Sequence, residues 1–298
     1  MRPRGPPVYP SRFAYDAPTT VAEAVAILDR NGGEAKVLAG GQSLVPMLKL
    51  RFASPERLVD INNIKALDYH RLDPDGTLRI GALCRHEDLE FSEIIKDSHP
   101  TLAQAAALVA DPIVRTRGTF VGSVCHADPQ GDWAATMIAL DGRIVAQGPN
   151  GRREIAMRDF VSGPFTNALA YNELAVEAVI PPAKGKAVGG YLKLERRVGD
   201  FATASVAVAL DMNGDVVTRA GCALAGVGGK TIDANEAISV LVGKTLTAES
   251  IEAAAEAIAD AADPRTDHRG SADYKRHIVK TFVTRILSGI ARSEQKAA

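Results

Sequence analysis

Lys36-Val37-Leu38-Ala39-Gly40-Gly41-Gln42-Ser43-Leu44-Val45-Pro46-Met47 is the stretch from which the rest of this chain can be read. The apolar run from Ala35 to Ala39 reads as a buried strand. It stops at paired glycines, where the backbone can turn through positive φ and present successive N–H groups. Such a turn is a phosphate cradle. Gln42 and Ser43 add side-chain donors just beyond it, and Leu44, Val45, Met47, Leu48 and Leu50 form an apolar segment suited to burial behind the loop. Taken alone, the stretch also fits a plain Gly-Gly hairpin corner. It lacks the third glycine and trailing acid of a Rossmann fingerprint and the Gly-Lys-Ser/Thr of a Walker loop.

A second stretch shifts the balance. Arg115-Thr116-Arg117-Gly118-Thr119-Phe120-Val121-Gly122-Ser123-Val124-Cys125-His126-Ala127-Asp128-Pro129-Gln130-Gly131-Asp132-Trp133 again punctuates an apolar run with glycine and hydroxyl residues. The run ends at Asp128-Pro129, and a helical pattern follows through Trp133, Met137 and Leu140. Two nests suit a diphosphate better than one.

Both stretches resemble the FAD-binding medium subunit of molybdenum hydroxylases, the family of carbon monoxide dehydrogenase and of the flavin domain of xanthine dehydrogenase. Members carry Ala-Gly-Gly-His-Ser and Thr-Ile-Gly-Gly-Asn, then Asp-Pro and a further Asp. Here the counterparts are Ala39-Gly40-Gly41-Gln42-Ser43, Thr119-Phe120-Val121-Gly122-Ser123, Asp128-Pro129 and Asp132. Gly190-Tyr191-Leu192-Lys193, leading to Gly199-Asp200-Phe201-Ala202, is similar to the family's Tyr-x-Lys segment. Ser271-Ala272-Asp273-Tyr274 is similar to its C-terminal Ser-x-x-Tyr.

The resemblance implies an α+β architecture of the PCMH type (vanillyl-alcohol-oxidase-like). It would have two α/β FAD-binding subdomains, residues 1–60 and 61–180, and a C-terminal α+β domain, residues 187–298. It also implies non-covalent FAD. Lys36, Val37, Leu38, Ala39, Gly40, Gly41, Gln42, Ser43 and Leu44 would form the first binding segment, and Thr119, Phe120, Val121, Gly122 and Ser123 the second. Val109, Asp128 and Leu174 complete the surround, Asp132 hydrogen-bonds a sugar or ribityl hydroxyl, and Tyr191 and Lys193 approach the isoalloxazine, where a cation favours the anionic reduced ring. Val121 stands where the family has glycine. If that position needs φ > 0, a β-branched residue there costs roughly 1–2 kcal/mol, which weakens the second nest, or forces the backbone onto another path.

The 298 residues exceed one typical domain, and the formal net charge is −1. No Lys/Arg block is long enough to suggest nucleic-acid binding, and no apolar run approaches the roughly 18 residues of a membrane span. Met1-Arg2-Pro3-Arg4-Gly5-Pro6-Pro7 is not followed by a signal-peptide apolar core, so a cytoplasmic location is expected. Cys84, Cys125 and Cys222 are scattered, so they read as small buried residues and the chain cannot by itself ligate an iron–sulfur cluster. By the resemblance, a molybdenum-cofactor large subunit and a small subunit with two [2Fe-2S] clusters are the partners, assembled as a dimer of heterotrimers. The external electron acceptor would be NAD, a quinone or oxygen. A flavin-poor structural subunit and a stand-alone flavin reductase are the alternatives.

Along the chain, Phe13 and Tyr15 alternate as in a strand, and Thr20-Val21-Ala22-Glu23 is a capping box that starts a helix. Leu58 to Ile61 and Leu78 to Leu83 read as strands. The acids of His86-Glu87-Asp88-Leu89 support a helix N-terminus. Pro100 opens a helix that Asp111-Pro112 closes. Arg143 to Gln147, Glu154 to Met157 and Leu174 to Ile180 then suggest one mixed sheet. Pro181 to Lys186 is the best boundary. A hairpin turns at Asn213-Gly214, and helices follow at about 248–262 and 273–291.

Overall fold

The computed structural model describes residues 9–297; Met1 to Val8 and Ala298, and with them the leading Pro-rich segment, lie outside the described residues. The first layer is small. Strand β1 (Ala14–Asp16), helix α1 (Val21–Arg30), β2 (Ala35–Leu38), helix α2 (Leu44–Lys49) and β3 (Arg57–Asp60) make a parallel sheet of order β1-β3-β2. Helix α1 starts where the sequence says it should. The Thr20 hydroxyl accepts from the Glu23 N–H, and the Glu23 carboxylate accepts from the Thr20 N–H, so two otherwise orphaned donors are satisfied. Ala24, Val25 and Leu28 then face the core.

The second sheet is built from β4 (His70–Leu72), β5 (Leu78–Gly81), β6 (Arg143–Gly148) and β7 (Gly151–Ala156). A tiny hairpin of β8 (Val161–Gly163) and β9 (Thr166–Asn167) precedes its central strand β10 (Leu174–Ile180). Its order is β4-β5-β10-β6-β7, and every neighbouring pair is antiparallel, not mixed as expected. The reason is local: β4–β5 and β6–β7 close through tight turns, which permit only antiparallel neighbours. β10, buried at all seven positions, forms the middle.

Between β5 and β6 the chain is helical: α3 (His86–Glu90), α4 (Glu93–Ser98), α5 (Pro100–Ala106), α6 (Pro112–Arg115), α7 (Phe120–His126) and α8 (Asp132–Ala139). Asp88 serves structure as expected, its carboxylate accepting the Arg85 N–H at 2.8 Å. Asp111-Pro112 starts a helix instead of closing one. The Asp111 carboxylate caps the Val114 N–H, and Pro112 occupies the first turn, where its missing N–H costs nothing. The Leu44–Leu50 segment is helical but lies largely at the surface, with Leu48 as its buried member.

After a one-turn helix α9 (Met157–Phe160), the last layer holds β11 (Lys186–Leu194), β12 (Ala204–Asn213), β13 (Val216–Ala225) and β14 (Ile232–Asp233), all antiparallel. Helices α10 (Asn235–Ile238), α11 (Ala248–Ala261) and α12 (Ala272–Ala297) complete it. The hairpin turns at Gly214, φ +60°, as its sequence requires.

The alternation in β12 sorts two cores. Val206, Val208 and Leu210 point to α11 and α12, whereas Ala207 and Ala209 point to the first core and leave room for α5 and α8. That small-residue face brings Asp132 on α8 within reach of Tyr191 and Lys193 on β11.

Candidate functional site: a cleft between two glycine segments

Both stretches end at one cleft of about 600 Å³, floored by the C-terminal ends of the small parallel sheet and walled by α7. Gly41 turns at φ +74°. Gly40 is required for a different reason. A Cβ there would sit 2.8 Å from Gly118 Cα and 3.0 Å from the Thr119 nitrogen, and closer still to the Arg117 carbonyl oxygen. The two segments therefore touch backbone to backbone. Asn62 and Arg85 tie them together: Asn62 Nδ2 donates to the Ala39 carbonyl at 2.9 Å, and Arg85 donates both to Asn62 Oδ1 at 2.8 Å and to the Arg117 carbonyl at 2.5 Å.

The second segment is not the glycine loop read from its sequence. Thr119 is extended, and Phe120–His126 is a helix. Val121 sits in its first turn, buried and without positive φ, so the expected strain does not arise. Phe120 points away from the cleft and packs on Trp133 with ring centroids 4.6 Å apart. Among the described residues, no acceptor takes up the N–H groups of Gln42, Ser43 and Leu44, or those of Val121 and Gly122. These are first-turn and turn donors that face one cavity, which is the chemistry a diphosphate requires without a metal. The donor set fits FAD, and no cluster able to hold a metal ion occurs among the described residues.

Lys36, Val37, Ala39, Gly40, Gly41, Gln42, Ser43 and Leu44 line the cleft, as do Val109, Thr119, Val121, Gly122, Ser123, Asp128, Asp132 and Leu174. Leu38 lies beneath the loop, its Cδ1 within 3.2 Å of where a Gly41 Cβ would be. Tyr191 and Lys193 stand one layer behind the wall. The Tyr191 hydroxyl donates to Asp132 Oδ1 at 2.5 Å, and Lys193 Nζ donates to Asp132 Oδ2 at 3.3 Å and to the Leu108 carbonyl at 2.9 Å. The Lys193 side chain is 1% exposed. Burial pushes the Asp132 carboxyl up from its ordinary range, while the Lys193 ammonium and Tyr191 hydroxyl hold it back. These residues reach the cleft through Asp132, not directly.

Sequence reasoning missed His86, Cys125, His126, Phe165, Tyr171 and Phe201, which also line the cleft. Burial lowers His86 to about 4 and raises Cys125 to about 12, so both are neutral near pH 7. Phe165 stacks at a tilt on His126, centroids 5.1 Å apart, and with Tyr171 and Phe201 it gives the mouth an aromatic rim. Asp200-Phe201 reaches the cleft because the αL Gly199, φ +86°, folds this segment back against Ala110.

This is a mixed helix-and-sheet fold with one cleft between two glycine segments. Residues 11–183 match the family described as the FAD binding domain in molybdopterin dehydrogenase, and residues 190–290 match the CO dehydrogenase flavoprotein C-terminal domain. The chain is 42% identical to the carbon monoxide dehydrogenase medium chain of Hydrogenophaga pseudoflava over 94% of its own length and 97% of that protein's. It is 37% identical to the 6-hydroxypseudooxynicotine dehydrogenase complex subunit alpha of Paenarthrobacter nicotinovorans, over 94% of each chain. A solved structure of the Hydrogenophaga pseudoflava carbon monoxide dehydrogenase superposes with a TM-score of 0.90, covering 96% of this chain and 99% of that one. Quinoline 2-oxidoreductase from Pseudomonas putida 86 superposes at 0.88 with 29% identity, covering 96% and 99%. The chain belongs to the family of FAD-binding medium subunits of molybdenum hydroxylases, the flavoprotein subunits of oxidoreductases.

Proposed function

We propose that this chain is the electron-transfer subunit of its complex, carrying electrons from iron–sulfur clusters on a partner, through non-covalent FAD, to an external acceptor such as NAD, a quinone or oxygen. The supporting observation is the convergence of unpaired N–H groups from Gln42–Leu44 and from Val121–Gly122 on one cleft. When bound, FAD supplies the one- and two-electron chemistry. The chain's own residues bind and orient it. Gly40, Gly41, Gln42 and Ser43 would hold the diphosphate from one side and Thr119–Ser123 from the other, and Asp132 would take a ribityl or sugar hydroxyl. Lys193 and Tyr191 keep that carboxylate aimed.

We further place the chain beside a large molybdenum-cofactor subunit and a small two-cluster subunit, in a dimer of heterotrimers, in the cytoplasm. No helix among the described residues is long and apolar enough to cross a membrane. We divide the chain at residues 1–60, 61–180 and 187–298, in line with its three main sheets. The flavin-poor structural alternative rested on Val121, and the helical placement of that residue removes its reason.

The visible spectrum of the purified chain, followed by identification of the cofactor released by acid, tests this reading. Near-stoichiometric FAD is expected. A colourless chain that takes up no FAD on reconstitution, even with its partner subunits, would overturn it.

A further inference from the structure

One polar group on the cleft wall remains unaccounted for. His86 is 4% exposed, and its imidazole has two different edges. Nδ1 accepts the Trp133 indole N–H at 3.0 Å; because Trp133 can only donate, Nδ1 carries no proton. The neutral ring must then carry its proton on Nε2. Protonation of both nitrogens is opposed by burial and by the nearby Arg115 and Arg85 guanidinium groups, which hold His86 down at about 4.

The Nε2 edge turns away from Trp133 toward Gly118. A Cβ on Gly118 would lie 2.7 Å from both Nε2 and Cδ2, so only glycine lets the ring pass there. His86 lines the cleft beside Gly118, Val114 and Asp132, and no described residue accepts its Nε2–H. The backbone is fixed as well, the His86 N–H donating to the Gly118 carbonyl at 3.0 Å. The Nε2–H is thus a donor of settled tautomer, held in place from two sides, open to the cleft and without a partner among the described residues, so it is available to a ligand there.

We propose that His86 is a further cofactor-binding residue of this cleft, donating its Nε2–H to an oxygen acceptor in the diphosphate–ribityl stretch of a bound flavin dinucleotide. The inference rests on the proposed FAD reading and adds a residue to it. Trp133, which does not line the cleft, is the positioning residue that sets the tautomer. This arrangement supplies a neutral donor whose strength does not change across the physiological pH range, unlike an ordinary surface histidine.

Two variants separate the edges of the ring. In His86→Asn the amide oxygen overlays Nδ1 and can still accept from Trp133, but the shorter side chain places no donor at the Nε2 position. In His86→Gln the longer amide reaches the Nε2 position and restores a donor. FAD dissociation constants measured by flavin fluorescence on the deflavinated full chain should rise about tenfold in His86→Asn, as expected for one lost hydrogen bond to a polar or charged acceptor. They should stay much nearer the wild-type value in His86→Gln.

The wild-type chain provides a readout free of substitutions. In 15N-resolved spectra the His86 Nε2–H, assigned by its loss in His86→Asn, should become protected from exchange and shift downfield when FAD is added. Unchanged affinity in His86→Asn, equal losses in both variants, or an Nε2–H signal insensitive to FAD would each overturn the assignment. A wild-type chain that binds no FAD would instead overturn the proposed function, and the two failures are thereby distinguished.

Discussion

Gly40 lies against the backbone of Gly118 so closely that an added Cβ would be 2.8 Å from Gly118 Cα. The two glycine segments, far apart in sequence, are thus spaced by the absence of one side chain. The obstructing atoms are backbone, which cannot swing aside as a rotamer could.

Gly40→Ala should therefore weaken FAD binding by at least about tenfold and lower the melting temperature, since overpacking of this kind costs roughly 1–3 kcal/mol. Gly289→Ala is the control. Gly289 lies in α12, and a Cβ there would meet nothing within 4 Å, so alanine should raise stability by about 0.5–1 kcal/mol without touching affinity. Equal affinity in wild type and Gly40→Ala would show that the spacing does not matter.

Val121→Gly puts the family's glycine back into this chain. Because Val121 is a buried helical residue, the change should destabilise by about 1–3 kcal/mol, from lost packing and from glycine's backbone entropy, with no gain in FAD affinity. Denaturant melts and FAD titrations of the two proteins check this. A tighter-binding variant would mean that the loop reading of the sequence was right after all.

Lys193→Met removes the cation from a buried cluster and leaves Asp132 and Glu195 uncompensated; the Lys193 and Asp132 side chains are 1% and 7% exposed. Breaking such a pair costs about 3–5 kcal/mol. Asp132→Asn in the same background should recover part of the loss, because the charge left alone is then also gone. A double-mutant cycle by chemical denaturation measures the coupling, and strictly additive effects would argue against it.

The pH dependence of stability follows chiefly from His86 and His99, each buried and each lowered from 6.5 to about 4, with His126 lowered by burial in the same direction. Between those values the unfolded chain binds protons that the folded chain refuses. Stability should therefore be fully present above about pH 6.5 and fall as pH drops toward 4, with each histidine contributing up to about 1.4 kcal/mol per pH unit. Melting temperatures from pH 7 to 4.5 should show the slope, and His99→Gln should flatten it by about half. A wild-type profile that is level across this window would contradict the burial argument.

The features legible in the sequence were those fixed by local chemistry. The Thr20 box, the Asn213-Gly214 turn and the first glycine turn each carry their own conformational reason, and the structure places each where that reason puts it. The second segment failed because Thr119 to His126 is rich in β-branched and glycine residues with poor intrinsic helix propensity. Its helix is held by burial of Phe120, Val121 and Val124, a tertiary cause invisible in a short window. Lys193 looked like a strand lysine free to reach a ligand; only the small-residue face of β12 reveals that α8 comes close enough to intercept it. His86 gave no sequence signal beyond a helix start, since its meaning depends on a tryptophan 47 positions away.

The alanine face of β12 has one more consequence. Gly221 on β13 meets the Ala139 carbonyl of α8 so closely that a Cβ would fall 2.9 Å from the carbonyl carbon, Thr101 donates to the Val208 carbonyl at 2.7 Å, and Gln104 accepts the Tyr191 N–H at 3.1 Å. The Pro181–Lys186 junction is therefore a seam in composition only. Cut there, the two pieces would each expose bare backbone cut to fit the other, so the chain should melt in a single transition, and its halves should be recovered only when co-expressed.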